Sequence, residues 1–244
     1  EPFGHREEMA PEDHGKYIRE LIGLRKEAVK QGLWLPHMPP EWGGMGLGHV
    51  ALAMVQAEAA KTRVGPWVFN CQAPDEGNMH TLLHWATDEQ KEKYLKPLVN
   101  GVSSSCFAMT EPEVAGSDPT LIRTHGIKDG DEWIINGQKV WNTLAHLADW
   151  GMLVTRTDPD APKHKGMTYF ALDMHAPGVE VRPLRQITGE AEFNEVYMTD
   201  ARVPDAHRVG EVGEGWRAAL TTLMNERSAI GGGGGGNAKR RGPI

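Results

Sequence analysis

Cys106-Phe107-Ala108-Met109-Thr110-Glu111-Pro112-Glu113-Val114-Ala115-Gly116-Ser117-Asp118 is where the character of the chain changes. Its first four residues, Cys106–Met109, read as a strand; the rest is a Pro/Gly/Ser loop that no regular element can hold. A strand that leaves a sheet into such a loop frees its backbone N–H groups, and here also the hydroxyls of Thr110 and Ser117, to meet an anionic or carbonyl-rich ligand. A plain strand-to-loop transition is the alternative reading of the same residues. N-terminal to this stretch the apolar period is helical; C-terminal to it the period is that of strands.

Working outward to the N-terminus, Tyr17, Ile18, Leu21, Leu24, Ala28 and Val29 recur at three and four residues and predict one helix over 12–31, closed by Gly32. Residues 33–48 are rich in Pro, Gly and Trp and predict irregular structure. Further helical runs cover 50–61 and 77–86. A last one starts at Thr87-Asp88-Glu89-Gln90, a capping-box pattern, and turns Tyr94, Leu95 and Leu98 inward.

Outward to the C-terminus, short β-branched and aromatic runs predict strands at 124–128, 132–135, 139–142, 150–157, 167–173, 179–183 and 193–199. Asp129-Gly130 and Asn136-Gly137 predict hairpin turns between them. No crossover helices fit between these runs, which excludes a Rossmann unit and favours an antiparallel sandwich or barrel. Helix returns at Gly213, with Trp216, Ala219, Leu220, Leu223, Arg227 and Ile230 on one face. It then meets six glycines, 231–236, where a helix must stop, fray or be supported by a neighbour, because each Gly costs about 1 kcal/mol relative to Ala. The fold class is therefore α+β: an N-terminal all-α domain (1–102), a middle antiparallel β-barrel or sandwich domain (103–210), and the first helix of a C-terminal helical domain (211–244).

The 244 residues are 39% hydrophobic and 24% charged, the composition of a globular protein, and the formal charge of −7 disfavours nucleic acid as the partner. Neither Cys71 nor Cys106 has a Cys or His at metal spacing, so no zinc site or disulfide framework is expected. No apolar run reaches the roughly 18 residues that a membrane span needs, and the polar first thirty residues lack the pattern of a targeting peptide. A cytoplasmic location is the expectation.

Met109-Thr110-Glu111-Pro112 with Gly116-Ser117-Asp118 resembles the flavin-binding signature of acyl-CoA dehydrogenases. Asn136-Gly137-Gln138-Lys139-Val140-Trp141-Asn142-Thr143, followed by Ala148-Asp149, is similar to the same family's Gly-x-Lys-x-Trp-x-Thr segment and the strand after it. The Pro39–Gly46 loop, the Thr87–Leu95 helix and the Val203-Pro204…Gly213-x-Gly215 exit extend the resemblance along nearly the whole chain. Ala73–Met79 resembles the branch whose larger mammalian members carry a fused kinase-like domain. Two positions depart from the pattern. Three residues separate Glu111 from Ala115 where two are usual, and Asn142 stands where an apolar or small residue is usual.

The resemblance implies FAD as cofactor, an acyl-CoA as substrate, electron-transferring flavoprotein as reoxidant, and a homodimer or homotetramer. It implies that Phe107, Met109, Thr110, Trp141 and Thr143 line the flavin ring. Gly116 and Ser117 would approach the flavin pyrophosphate or the substrate thioester. Desaturating a thioester needs a carboxylate to take the α-proton while a hydride leaves the β-carbon, and burial suits that carboxylate to the step by raising its pKa. The family places the base either in its C-terminal helical domain, most of which the sequence is expected to lack, or in a Glu-Arg pair on that domain's first helix. Glu226-Arg227 stands at the second place, roughly 60° from the centre of the apolar stripe. Glu226 is the candidate base, with Arg227 in support; a surface Glu on an amphipathic helix is the plain alternative. An acyl-CoA oxidase, or a non-catalytic flavin- or acyl-CoA-binding subunit, would show the same motifs.

Overall fold

The computed structural model describes residues 11–116, 118 and 121–233. By packing, the chain falls into two compact units. Among the described residues, one takes in those up to Glu76 together with Asn225 to Gly233; the other lies within Gly77–Met224.

In the first unit, α1 (Pro11–Lys30) forms where the helical period predicted it. It buries Leu21 and Ala28 against Val68 of the short helix α3 (Gly65–Val68), with Trp34 and Trp67 packed around them. Arg25 lies over the Trp67 ring, its guanidinium carbon 3.3 Å from the centroid, so α1 is held by a cation–π contact as well as by apolar burial. Between them, α2 (His49–Ala59) buries Leu52, Gln56 and Ala59. The irregular 33–48 segment contains a 3₁₀ turn, Pro40–Trp42.

The second unit opens with the body of α4 (Asp75–Trp85). Thr87 and Gln90 make the predicted capping box at the start of α5 (Asp88–Gln90), which continues through a π turn into α6 (Lys96–Val99). Tyr94, Leu95 and Leu98 are buried as predicted. Among the described residues, seven strands then form one curled sheet: β1 (Ser105–Ala108), β2 (His125–Asp129), β3 (Glu132–Lys139), β4 (Trp150–Arg156), β5 (Met167–Asp173), β6 (Val179–Leu184) and β7 (Phe193–Pro204). Their order is β1-β4-β2-β3-β7-β6, with β5 on β4. Alternate residues, among them Trp133, Ile135, Leu153, Phe170, Val196 and Val203, fill the core on one face.

The structure corrects four readings. The sheet is not purely antiparallel: β1 pairs in parallel with β4, and β2 touches the end of β4 in parallel at His125↔Arg156. The long connection from β1 to β4 makes a parallel return possible. Asn136-Gly137 is not a turn, and 139–142 is not a strand. β3 runs through both residues against β7, with its register shifted between Ile135 and Gly137, and ends at Lys139. An Asn-Gly pair serves a bulge as well as a hairpin, and the long partner strand β7 decides the matter. Finally, Leu220 is exposed, whereas Ala218, Ala219 and Thr222 form the buried face of α7 (Gly215–Gly233). Thr222 bonds Thr81 at 2.6 Å and the Tyr169 hydroxyl at 3.1 Å, which turns the polar residue inward. The helix enters the glycine run as far as Gly233; the remaining glycines and Lys239-Arg240-Arg241 lie outside the described residues.

Gly137 has φ +151°, and a Cβ placed there would lie 2.6 Å from the Thr124 Cα. Gly137→Ala should therefore lower stability by roughly 1–3 kcal/mol in urea unfolding, with the β2–β3 pairing the part most disturbed.

Candidate functional site

Two segments that are apart in sequence are bonded to each other: the end of β1 with the loop after it, and the end of β3 with the loop after it. Lys139 is fully buried, and its Nζ donates to Glu111 Oε1 at 2.8 Å and to the Met109 carbonyl at 3.0 Å. Glu111 also accepts from the backbone N–H groups of Arg123 at 2.6 Å and Thr124 at 2.9 Å. Burial raises the Glu111 carboxyl, but Lys139 and the Arg123 and Thr124 donors outweigh it and hold the group below its ordinary range. Burial brings the Lys139 ammonium down to about 8, with Glu111 opposing. Beyond this pair, Val140 N–H donates to the Thr110 carbonyl at 2.9 Å and Asn142 Nδ2 to the Phe107 carbonyl at 2.8 Å.

These bonds bring five of the sequence-predicted residues together. Phe107 is half-buried, on the face of β1 opposite the core residues Cys106 and Ala108. Met109 is buried, and Thr110 is half-buried. Trp141 is 59% exposed and is not a sheet-core tryptophan; its ring meets Phe193 edge-on at 6.0 Å. Thr143 is half-buried. Neither the Thr110 nor the Thr143 hydroxyl has a partner among the described residues. Gly116 is exposed, and a Cβ added to it would meet nothing within 4 Å; Ser117 lies outside the described residues. Beside Glu111, a cleft of about 230 Å³ is lined by Arg123, Thr124, His125, Asn136 and Gly137.

The backbone here is strained. Trp141 and Leu144 have φ of +62° and +56°, a region that costs a side-chain-bearing residue about 1–3 kcal/mol each. Such strain persists only where surrounding bonds determine it, and Asn194 supplies several of them. Asn142 N–H donates to the Asn194 carbonyl at 3.0 Å, and Asn194 Nδ2 returns a bond to the Asn142 carbonyl at 2.9 Å.

Glu226 and Arg227 are on α7 in the other unit. Glu226 is half-buried, and its carboxyl is raised by burial, with Arg227 opposing; Arg227 is exposed. In that unit Glu76 is buried and pushed up to about 8 by desolvation, with Gln56 Nε2 donating to both carboxylate oxygens. Sequence reasoning missed the roles of Lys139, Glu111, Asn194 and Glu76. Only Lys139 carried a signal: it shares the inward parity of Trp133 and Ile135 on β3, and a lysine at a core position needs a partner. Among the described residues no group of His, Cys, Asp or Glu could hold a metal ion, and no helix is long and apolar enough to cross a membrane.

Residues 4–102 match the family model "Acyl-CoA dehydrogenase, N-terminal domain", and residues 106–201 match "Acyl-CoA dehydrogenase, middle domain". The acyl-CoA dehydrogenase FadE34 of Mycobacterium tuberculosis is 43% identical over 225 residues, 87% of this chain and 30% of that protein. The human acyl-CoA dehydrogenase family member 11 is 36% identical over 208 residues, 82% of this chain and 26% of that protein. Among solved structures, one from Mycobacterium abscessus superposes with TM-score 0.82 at 33% identity, over 87% of this chain and 54% of its own. A glutaryl-CoA dehydrogenase from Mycobacterium smegmatis in complex with FADH2 gives 0.72 at 26% identity, over 86% and 53%. The ChsE4-ChsE5 complex of Mycobacterium tuberculosis gives 0.69 at 29% identity, over 89% and 56%. The chain thus spans about half, or less, of the length of the relatives it matches.

Removing Lys139 alone strands a buried carboxylate, so Lys139→Met should cost about 3–5 kcal/mol, and adding Glu111→Gln should recover part of that loss. Because the folded-state pKa of Glu111 is depressed, its contribution is present above the ordinary Glu value of about 4.3 and is lost as pH falls through the lower folded value. Urea unfolding across acid pH should show this slope in the wild type and its absence in Glu111→Gln.

Proposed function

Because the chain belongs to the acyl-CoA dehydrogenase family, we propose that the protein of which it is part binds FAD and desaturates an acyl-CoA between its α and β carbons. The observation that carries the reading is the cross-linked pair of segments 107–111 and 139–143, which carries an exposed Trp141 ring and, on Thr110 and Thr143, two hydroxyls with no partner among the described residues. That set suits a flat, hydrogen-bonding heterocycle: an aromatic face for contact and two uncommitted hydroxyls for its polar edges. The glutaryl-CoA dehydrogenase relative in complex with FADH2 supports the same assignment.

When bound, FAD supplies the acceptor for the β-hydride. The residues do the rest. Phe107, Met109 and Trp141 bind and orient the ring; Thr110 and Thr143 hydrogen-bond its edge; Gly116 and Ser117 meet the pyrophosphate or the thioester. Glu226 takes the α-proton, and the rise of its carboxyl on burial brings it toward the basicity that this step needs. Arg227 supports Glu226 through its charge. Residues 1–102, 103–210 and 211–244 are the N-terminal, middle and C-terminal parts of this machinery.

The likeness to human family member 11, of which this chain covers only 26%, supports the branch of long relatives with a fused kinase-like domain. Electron-transferring flavoprotein is the proposed reoxidant. The likeness to the ChsE4-ChsE5 complex favours assembly with a second, different chain over the homodimer or homotetramer first expected.

Full-length protein should carry flavin absorbance that an acyl-CoA bleaches without oxygen; a colourless protein, or one bleached by no acyl-CoA, overturns the reading. Peroxide formed stoichiometrically in air would assign an oxidase instead. Glu226→Gln should keep the colour and slow bleaching by about 10²–10⁴-fold. In the wild type the bleaching rate should climb with pH along a limb set above the ordinary Glu value, because the group acts deprotonated.

A further inference from the structure

We propose that Asn142 and Asn194 are positioning residues that hold Trp141 and Thr143 in the pose that receives the flavin; this rests on the flavin reading above. β3 ends at Lys139, so no sheet ladder constrains the chain beyond Val140. Yet Trp141 and Leu144 are both left-handed, a conformation that bulky L-residues keep only under constraint. The constraint comes from one buried amide pair. Asn142 and Asn194 are 1% and 0% exposed and exchange two bonds, Asn142 N–H to the Asn194 carbonyl and Asn194 Nδ2 to the Asn142 carbonyl.

The pair is tied on both sides. Asn142 Nδ2 donates to the Phe107 carbonyl of β1, which fixes its amide orientation, since the reversed amide would set oxygen against oxygen. Asn194 Nδ2 also donates to the Glu192 carbonyl, which accepts Leu144 N–H as well, and Asn194 Oδ1 meets His146 Nδ1 at 3.0 Å. The first two residues of β7 therefore act in different ways: Phe193 touches the Trp141 ring, and Asn194 holds the backbone that carries it. An apolar side chain at 142 would fill the volume and make none of the Phe107 bond.

The test uses full-length protein carrying Asn142→Leu, Asn194→Ala or both. FAD affinity is measured by reconstitution of the apoprotein, the flavin visible spectrum is recorded, and amide hydrogen exchange at Asn142 and Leu144 is followed without FAD. Each single variant should bind FAD about tenfold more weakly, shift the spectrum and exchange faster at both amides; the double should be no worse than the weaker single, because both act on one backbone. Folded variants with wild-type affinity and spectrum overturn the proposal. Should the buried variants fail to fold, His146→Ala removes only the exposed end of the network. It should weaken FAD by about two- to threefold, and an unchanged affinity overturns the proposal equally. Wild-type protein that takes up no FAD sinks the flavin reading and this proposal together, whereas normal uptake by the variants sinks this one alone.

Discussion

The ion pair between Lys139 and Glu111 is what the middle sheet and its candidate site depend on. Both groups are out of water, and a charge in that position is tolerated only when its partner and its remaining hydrogen bonds are all in place. Here the ammonium reaches two acceptors, and the carboxylate collects three donors. A pair of apolar residues in the same volume would serve stability as well or better. What the ion pair adds is position, because it accepts only one arrangement of the loop after β1 relative to the end of β3. Every residue proposed to face the flavin ring follows or precedes one of those two ends by a few positions.

The strained turn at Trp141 follows from that fixed point. With Lys139 pinned and Asn142 bonded to β1 and β7, the chain between them must bend at Trp141 where it would not by itself. An aromatic ring that would ordinarily bury itself is left at the surface of its unit. Such an arrangement lowers stability locally and is compensated by the surrounding bonds, which is how preorganised sites are usually built.

The sequence made the architecture legible wherever a local signal matched the global outcome. The α1 helix, the capping box at Thr87 and Gln90, the Asp129-Gly130 hairpin and the β5 strand are all present as read, but of the α1 stripe only Leu21 and Ala28 are buried, while Ile18, Leu24 and Val29 are exposed. The motif residues 107–110 and 141–143 were legible through resemblance, and the structure shows them joined. What was not legible depends on partners distant in sequence. Asn136-Gly137 carries a turn signal that β7, some sixty residues away, overrides. The parallel seating of β1 on β4 has no local signature at all. Leu220 was assigned inward by periodicity, but Thr222 found buried hydroxyl partners on Thr81 and Tyr169 that no periodicity encodes.

The seating of β1 beside β4 also orders events in time. Three of the pairings in the sheet, β2–β3, β4–β5 and β6–β7, join neighbours along the chain and close short loops. β1–β4 and β3–β7 close much longer ones, and loop-closure entropy delays such contacts until local structure can reward them. The segments that carry Phe107 and Trp141 are joined by bonds that are themselves distant in sequence, Lys139 to Met109 and Asn142 to Phe107, and so belong with the late contacts. A chain emerging from synthesis would therefore hold its hairpins before it holds a place for a ligand, and flavin would find its seat only once the whole sheet had closed.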